Sequence, residues 1–209
     1  MLEVKALQFG FERPLVVGLS FLVPKGEIRL LQGPSGCGKS TLLEIISGTH
    51  VAGVTWSGDI RLDGSNIGRV RAHQRAVGMM YQDALLFPHL SVGDNLAFGL
   101  TASIQRKDRH RAIQDALASA SLVGFGDRDP ASLSGGQAAR VALLRALLAQ
   151  PRALLMDEAF SRLDSDLRDE FGCFVLDQVE KRQISALLVS HDLADQKFCT
   201  GPILKFPTE

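Results

Sequence analysis

The residues Gly33-Pro34-Ser35-Gly36-Cys37-Gly38-Lys39-Ser40-Thr41 carry the parts a protein needs to hold a chain of phosphates, in the pattern G-x-x-x-x-G-K-[ST]. Glycines bring backbone N–H groups against phosphate oxygens, the Lys39 ammonium reaches the β and γ phosphates, and the Ser40 hydroxyl ligates Mg2+. Downstream, the adjacent carboxylates Asp157 and Glu158 close the apolar run Ala153-Leu154-Leu155-Met156. One carboxylate there can hold a nucleotide-bound Mg2+ while its neighbour acts on a water. Gln82 and His191 end two further apolar runs, so they too are delivered to strand ends. Leu133-Ser134-Gly135-Gly136-Gln137 opens a periodic helix. Ser134 is a good N-cap, and two glycines at a helix N-terminus expose amides to an anion; a plain capped helix start accounts for the same residues. Cys37 lies among loop amides beside Lys39, a setting that makes a thiol reactive and that bound phosphates would shield; an inert small loop residue is the alternative.

These groups act together only if regular elements gather them. Ile28 to Gln32 reads as a strand running into the glycine loop, and Ser40 to Ile46 as a helix whose positive end points back at the phosphates. Val77 to Gln82, Ala153 to Met156 and Ile184 to Ser190 read as buried strands. If these strands are parallel, their carboxyl ends place the loop, Gln82, the two carboxylates and His191 on one crevice. Residues 2–8 and 15–23 alternate as an antiparallel hairpin, with a further β segment near 58–64 pairing with it. Phe9 and Phe11 sit at the hairpin turn, where an aromatic can stack on a purine or simply pack. From about 84 to 150 the periodicity is helical, ending in a helix from Ala138 to Gln150 that Pro151 closes. The polar, cationic stretch from Ile104 to Arg111 within it reads as the solvated face of a surface helix. The fold class expected is α/β: a P-loop core with a mostly parallel sheet, an N-terminal antiparallel β subdomain and a helical insertion, all one domain over residues 1–209.

Composition narrows the classes of function. Lys plus Arg and Asp plus Glu both number 23, so bulk charge offers no attraction to nucleic acid or anionic lipid. Cys37, Cys173 and Cys199 have no C-x-x-C spacing, which argues against a zinc site and for a reducing compartment. No apolar run approaches the length of a membrane span, and the N-terminus is not a charged-then-apolar leader. A cytoplasmic location is expected.

Assembled in this order, the motifs resemble those of the ATP-binding-cassette ATPases, the nucleotide-hydrolysing subunits of ABC transporters, over nearly the full chain. Gly33 to Ser40 matches their Walker A, Gln82 their Q-loop, Leu133 to Gln137 the LSGGQ signature and Leu154 to Glu158 their Walker B. Ser161-Arg162-Leu163-Asp164 looks like the D-loop, which places Asp164 among the nucleotide-binding residues, and His191 looks like the H-loop histidine. Phe9 matches the adenine-stacking aromatic, with Phe11 as the alternate. The resemblance implies a head-to-tail homodimer with two ATP sandwiched between subunits. Lys39 and the loop amides would hold phosphates, and Ser40 and Asp157, helped by Gln82, would organise Mg2+. Glu158 would polarise the attacking water and His191 would hold the γ-phosphate in line. Ser134 and Gly136 would cover the γ-phosphate of the opposite subunit. Ala159, Arg162 and Ala138-Ala139 depart from the usual family residues near the expected dimer seam.

Residues 85–92 with 95–100, and Leu163 to Arg168, are similar in wording to bacterial binding-protein-dependent importers. That implies integral membrane permease subunits as partners, a periplasmic or lipoprotein substrate-binding protein in the same system, and a peripheral place on the inner face of the cell membrane. Few residues follow His191, so no C-terminal regulatory domain is expected. The competing readings are a soluble ABC ATPase without a membrane partner, an exporter subunit, a catalytically silent regulatory module, and another P-loop enzyme. The retained Glu158 and His191 weigh against the silent module. The signature, with no Asn-Lys-x-Asp guanine-reading motif, weighs against a GTPase.

Overall fold

In the computed structural model, which describes residues 1–207, the buried apolar runs become neighbouring parallel strands. In chain order the elements are β1 (Leu2–Gly10), β2 (Pro14–Val23), β3 (Ile28–Gln32), α1 (Lys39–Ser47), β4 (Thr55–Leu62), β5 (Ser65–Asn66) and β6 (Val77–Met80). They continue as α2 (Val92–Gly99), α3 (Arg109–Ser119), α4 (Gly135–Leu148), β7 (Ala153–Asp157), α5 (Ser165–Arg182), β8 (Ser185–Val189) and β9 (Leu204–Lys205). One sheet has the order β6-β7-β8-β3-β9 and every pairing in it is parallel; the other, β2-β1-β4-β5, is antiparallel.

Alternation along the parallel strands feeds two cores. Leu31, Leu155, Leu187 and Val189 face α1 and the antiparallel sheet, while Leu30, Leu154, Met156 and Leu188 face α4 and α5. Both faces being covered, β8 is buried at every position, which is why it reads as a continuous apolar run. A third core joins α2, α3 and α4 through Leu96, Leu117 and Leu144. The helix α4 serves both the second and third cores and so ties the helical region to the sheet.

The β segment read near 58–64 runs from Thr55 to Leu62, and two further elements near the site differ from those read in the sequence. The helix expected from Ala138 starts at Gly135, because Ser134 and Gln137 form a reciprocal capping box that fixes the first turn; it ends at Leu148, and Gln150 takes a left-handed φ of 53° before Pro151. The strand expected to end at Gln82 stops at Met80, leaving Tyr81 and Gln82 exposed. The two-residue β9 has no sequence signal; its pairing with β3 is purely tertiary.

A buried arginine locks α1 to the chain that follows the antiparallel sheet. Arg75, 6% exposed, donates from Nη1 to the carbonyls of Ile45 (2.7 Å) and Ile46 (2.9 Å) at the C-terminal end of α1. It also donates to Val70 and Gly68 at 2.8 Å each. The negative end of the helix dipole compensates the guanidinium. A Cβ at Gly48 would meet Arg75 Nε at 2.5 Å, so this left-handed cap of α1 must be glycine twice over. Arg75→Met should cost roughly 3 kcal/mol, because it strands several buried carbonyls, and urea unfolding checks it. A loss below about 1 kcal/mol would show that water satisfies those carbonyls instead.

Candidate active site

The loop 33–38 leaves the carboxyl end of β3 and enters α1, with Gly36 and Gly38 at φ 77° and 102°. Gly38 is glycine for space as well as conformation, since a Cβ there would meet Leu15 Cδ2 at 2.7 Å. Lys39, 6% exposed, points its ammonium back into the loop. Its Nζ donates to the carbonyls of Gly33 (2.9 Å) and Pro34 (2.6 Å), with Cys37 Sγ at 3.8 Å. A cation is thereby centred among loop amides at a helix N-terminus, the arrangement that attracts an anion.

The two carboxylates come from the next strand but one. Burial pushes the Asp157 carboxyl up; the nearby Ser40 hydroxyl opposes the shift, the charge of Glu158 adds to it, and Lys39 opposes it. Ser40 and Asp157 thus converge beside the loop as an all-oxygen donor pair, suited to a hard cation whose other ligands come from phosphates and water. Among the described residues no three His, Cys, Asp or Glu side chains form a metal cage, so a divalent ion would depend on the nucleotide for its remaining ligands.

At Glu158 the chain leaves β7 with φ 48°, a conformation costly for a non-glycine residue. It is held by the Glu158 N–H donating to the Val189 carbonyl of β8 at 2.9 Å, and by Ser161 Oγ donating to the Glu158 carbonyl at 2.8 Å. The turn aims the side chain at His191, whose Nδ1 lies 3.1 Å from Glu158 Oε1. Glu158, Lys39, Ser40 and Val189 line one cleft of about 250 Å3 with the loop residues Ser35 and Gly36. A phosphate-binding loop, a carboxylate and an imidazole therefore meet at the carboxyl edge of the parallel sheet.

Other expected site residues lie elsewhere. None of residues 134–137 lines that cleft. Ser134 is the N-cap of α4, accepting the Gln137 N–H while Gln137 Oε1 accepts the Ser134 N–H, and Gly136 packs on Leu167 of α5. Asp164 is the N-cap of α5, accepting the Leu167 N–H at 2.9 Å. Gln82 lines a separate cavity of about 200 Å3 with Gly135, Ala138, Ala159 and Arg162. Arg162 is ion-paired there with Asp83, an intrachain partner that sequence spacing gave no reason to expect.

Phe9, expected to stack on adenine, is buried in this structure. Phe9 is 1% exposed, in a T-shaped contact with Phe206 and with its ring tip at the position of Gly38. Phe11 is 55% exposed but leans toward Gly53. Leu15, on β2, also rests on the phosphate loop, with its Cδ2 the nearest atom to the Gly38 position. The hairpin alternation puts Leu15 and Val17 on one face, and that was the signal available for finding it.

On the far side of β6, Met80, Tyr81, Leu85, Phe87, Phe98 and Arg145 line an apolar groove of about 540 Å3. The Phe87 and Phe98 rings meet at 4.8 Å, Phe98 is 71% exposed, and Arg145 lies over Phe87 while donating to the carbonyls of Ala84 and Leu85.

Comparison with known proteins converges on the same assignment. The sequence model of the family described as "ABC transporter" matches residues 16–161. An uncharacterized ABC transporter ATP-binding protein, YnjD of Escherichia coli K12, is 48% identical over 88% of this chain and 85% of its own length. The sulfate/thiosulfate import ATP-binding protein CysA of Salmonella typhi is 39% identical over 91% of this chain. The Fe(3+) ions import ATP-binding protein FbpC of Escherichia coli O157:H7 is 36% identical over 90%. The chain spans 53% of the length of each of these two import relatives. Among solved structures, cbiO1 of Clostridium perfringens, part of the ABC transporter complex cbiONQ, has the same fold, with a TM-score of 0.84 at 24% identity over 95% of this chain and 81% of that one. Together with the phosphate loop and the Glu158–His191 pair at one sheet edge, these matches establish that the chain belongs to the ABC transporter family, as one of its ATP-binding, ATP-hydrolysing subunits.

Proposed function

We propose that this subunit powers a bacterial importer: two copies close head to tail on two ATP molecules, and the closure drives a separate membrane permease. The observation that carries the chemistry is the Glu158–His191 contact standing over the loop that holds Lys39. In this reading the loop amides and Lys39 hold the β and γ phosphates, Glu158 accepts a proton from the attacking water, and His191 donates to the γ-phosphate. Ser40 and Asp157, with Gln82 moving in from its neighbouring cavity, would hold a divalent ion that neutralises phosphate charge when bound. The dimer is supported by the position of residues 134–137. Their helix end is exposed at Ser134 and Gly135 and lies outside the phosphate-loop cleft of its own chain, so a second copy is needed to bring it to a nucleotide. The importer reading is supported by relatives named for sulfate/thiosulfate and iron import. It carries with it permease subunits, a periplasmic or lipoprotein binding protein, and a peripheral place on the inner face of the membrane. Among the described residues no helix is long and apolar enough to cross a membrane.

Lys39→Ala tests the site. Removing the ammonium should weaken Mg-ATP binding at least about ten-fold and lower hydrolysis about a hundred-fold, read by fluorescent-nucleotide titration and phosphate release. Wild-type affinity in that variant would place the nucleotide elsewhere.

A further inference from the structure

His191 follows β8 on a turn, with its side chain more than half exposed; Glu158 is its side-chain hydrogen-bond partner among the described residues. An exposed imidazole keeps one position only if the backbone on both sides of it is fixed, because catalytic geometry tolerates errors of only about 0.5 Å. Both neighbours are fixed by buried polar groups. Ser190, 4% exposed, donates its hydroxyl to Asp195 Oδ2 at 2.6 Å and accepts the Asp192 N–H at 3.0 Å. Asp192 in turn accepts the Ala194 N–H at 2.9 Å and is ion-paired with Arg168 of α5.

The cluster is expensive. Asp195 is 2% exposed, and its Oδ1 has no hydrogen-bond partner; Arg168 Nε, also buried and unpartnered, lies 3.9 Å away, attracted but too far to bond. Burial pushes the Asp195 carboxyl up, against the Ser190 hydrogen bond and the Arg168 charge. Apolar residues of similar volume would pack here at less cost, so stability does not account for the carboxylate.

We propose that Asp195, acting through Ser190 and alongside the Arg168–Asp192 pair, is a positioning residue that holds His191 in register with Glu158 and so sets turnover rather than nucleotide affinity. The proposal rests on the reading above in which His191 serves the γ-phosphate. Because Arg168 stands in the first turn of α5, just past its N-cap Asp164, the same cluster ties the histidine segment to residues 161–164.

The test is a double-mutant cycle on the full chain, measuring kcat and KM for ATP with magnesium. Asp195→Ala and Ser190→Ala should each lower kcat about ten-fold with KM within about two-fold. Asp195→Asn, which keeps an oxygen for the Ser190 hydroxyl, should retain about half of kcat or more. In a His191→Ala background, Asp195→Ala should change kcat by less than about two-fold, because the group it positions is gone. Thermal melts identify any variant that has lost its fold, and Ser190→Ala, which deletes a single oxygen, keeps the test open if Asp195→Ala has. If both single variants keep wild-type kcat while His191→Ala loses it, or if losses multiply in the double variant, the positioning role is overturned and the site reading stands. If His191→Ala itself leaves kcat unchanged, the site reading falls and the proposal falls with it.

Discussion

Glu158→Gln should abolish turnover, by about a thousand-fold, while leaving ATP and Mg2+ binding intact, and should accumulate a dimer. The amide keeps an oxygen to face His191 Nδ1, now at 3.1 Å from the carboxylate, and changes little in volume, so the turn at φ 48° survives. What it removes is the base, and a positioned general base contributes about 10²–10⁴ in rate. Lys39, Ser40 and Asp157 are untouched, so nucleotide should still bind; in the proposed head-to-tail dimer, blocking hydrolysis removes the step that would open it. Sizing chromatography with saturating ATP and Mg2+ should show the variant at twice the wild-type mass without nucleotide. A monomer under those conditions, at high protein concentration, would rule out the head-to-tail arrangement. A variant still turning over near the wild-type rate would remove Glu158 from the chemistry.

Phe98→Asp should leave hydrolysis by the isolated subunit within a few-fold and eliminate its recruitment to membranes by the co-expressed permease. Phe98 is 71% exposed on α2, on the rim of the 540 Å3 groove, and none of the phosphate-loop cleft residues touches that groove. In the proposed transporter this groove would receive an amphipathic helix of the permease, and a carboxylate placed in it would have to be desolvated on docking at a cost of several kcal/mol. Arg145 is poorly placed to neutralise the new charge, because it already serves the Ala84 and Leu85 carbonyls. The groove runs along β6 from Gly78 to its end at Met80, two residues before Gln82, so movement of that glutamine between nucleotide states would reach a helix docked there. ATPase assay and membrane co-fractionation separate the outcomes. A variant that still fractionates with membranes puts the docking surface elsewhere, and a wild type that never does removes the permease from the reading.

Much of the chemistry was legible because it is local. The phosphate loop with its strand and helix lies within residues 28–47, and the Ser134–Gln137 capping box within four residues, so spacing alone encodes them. Parallel strands buried on both faces appear as uninterrupted apolar runs, and the residues that follow β7 and β8, Glu158 one residue and His191 two residues past the strand end, could be named before their neighbours were known.

Local sequence sets which residue types follow the strands; packing of distant elements sets which of them meet and which side chains are used up in the core. Phe9 and Phe11 lie two apart on one hairpin and are equal candidates in sequence, yet Phe206, far along the chain, buries the first. Arg162 finds Asp83, Arg75 finds the end of α1, and Asp195 reaches Ser190 with Arg168 beside it. Strand and helix signals are sums over local backbone and burial preferences, whereas partners of buried charges are fixed by where distant elements pack, and periodicity carries no record of that. The same limit left the residues 134–137 ambiguous between a plain capped helix start and an anion site. The fold takes them out of their own chain's cleft, because the start of α4 packs against Leu167 of α5 and not at the sheet edge that carries the phosphate loop.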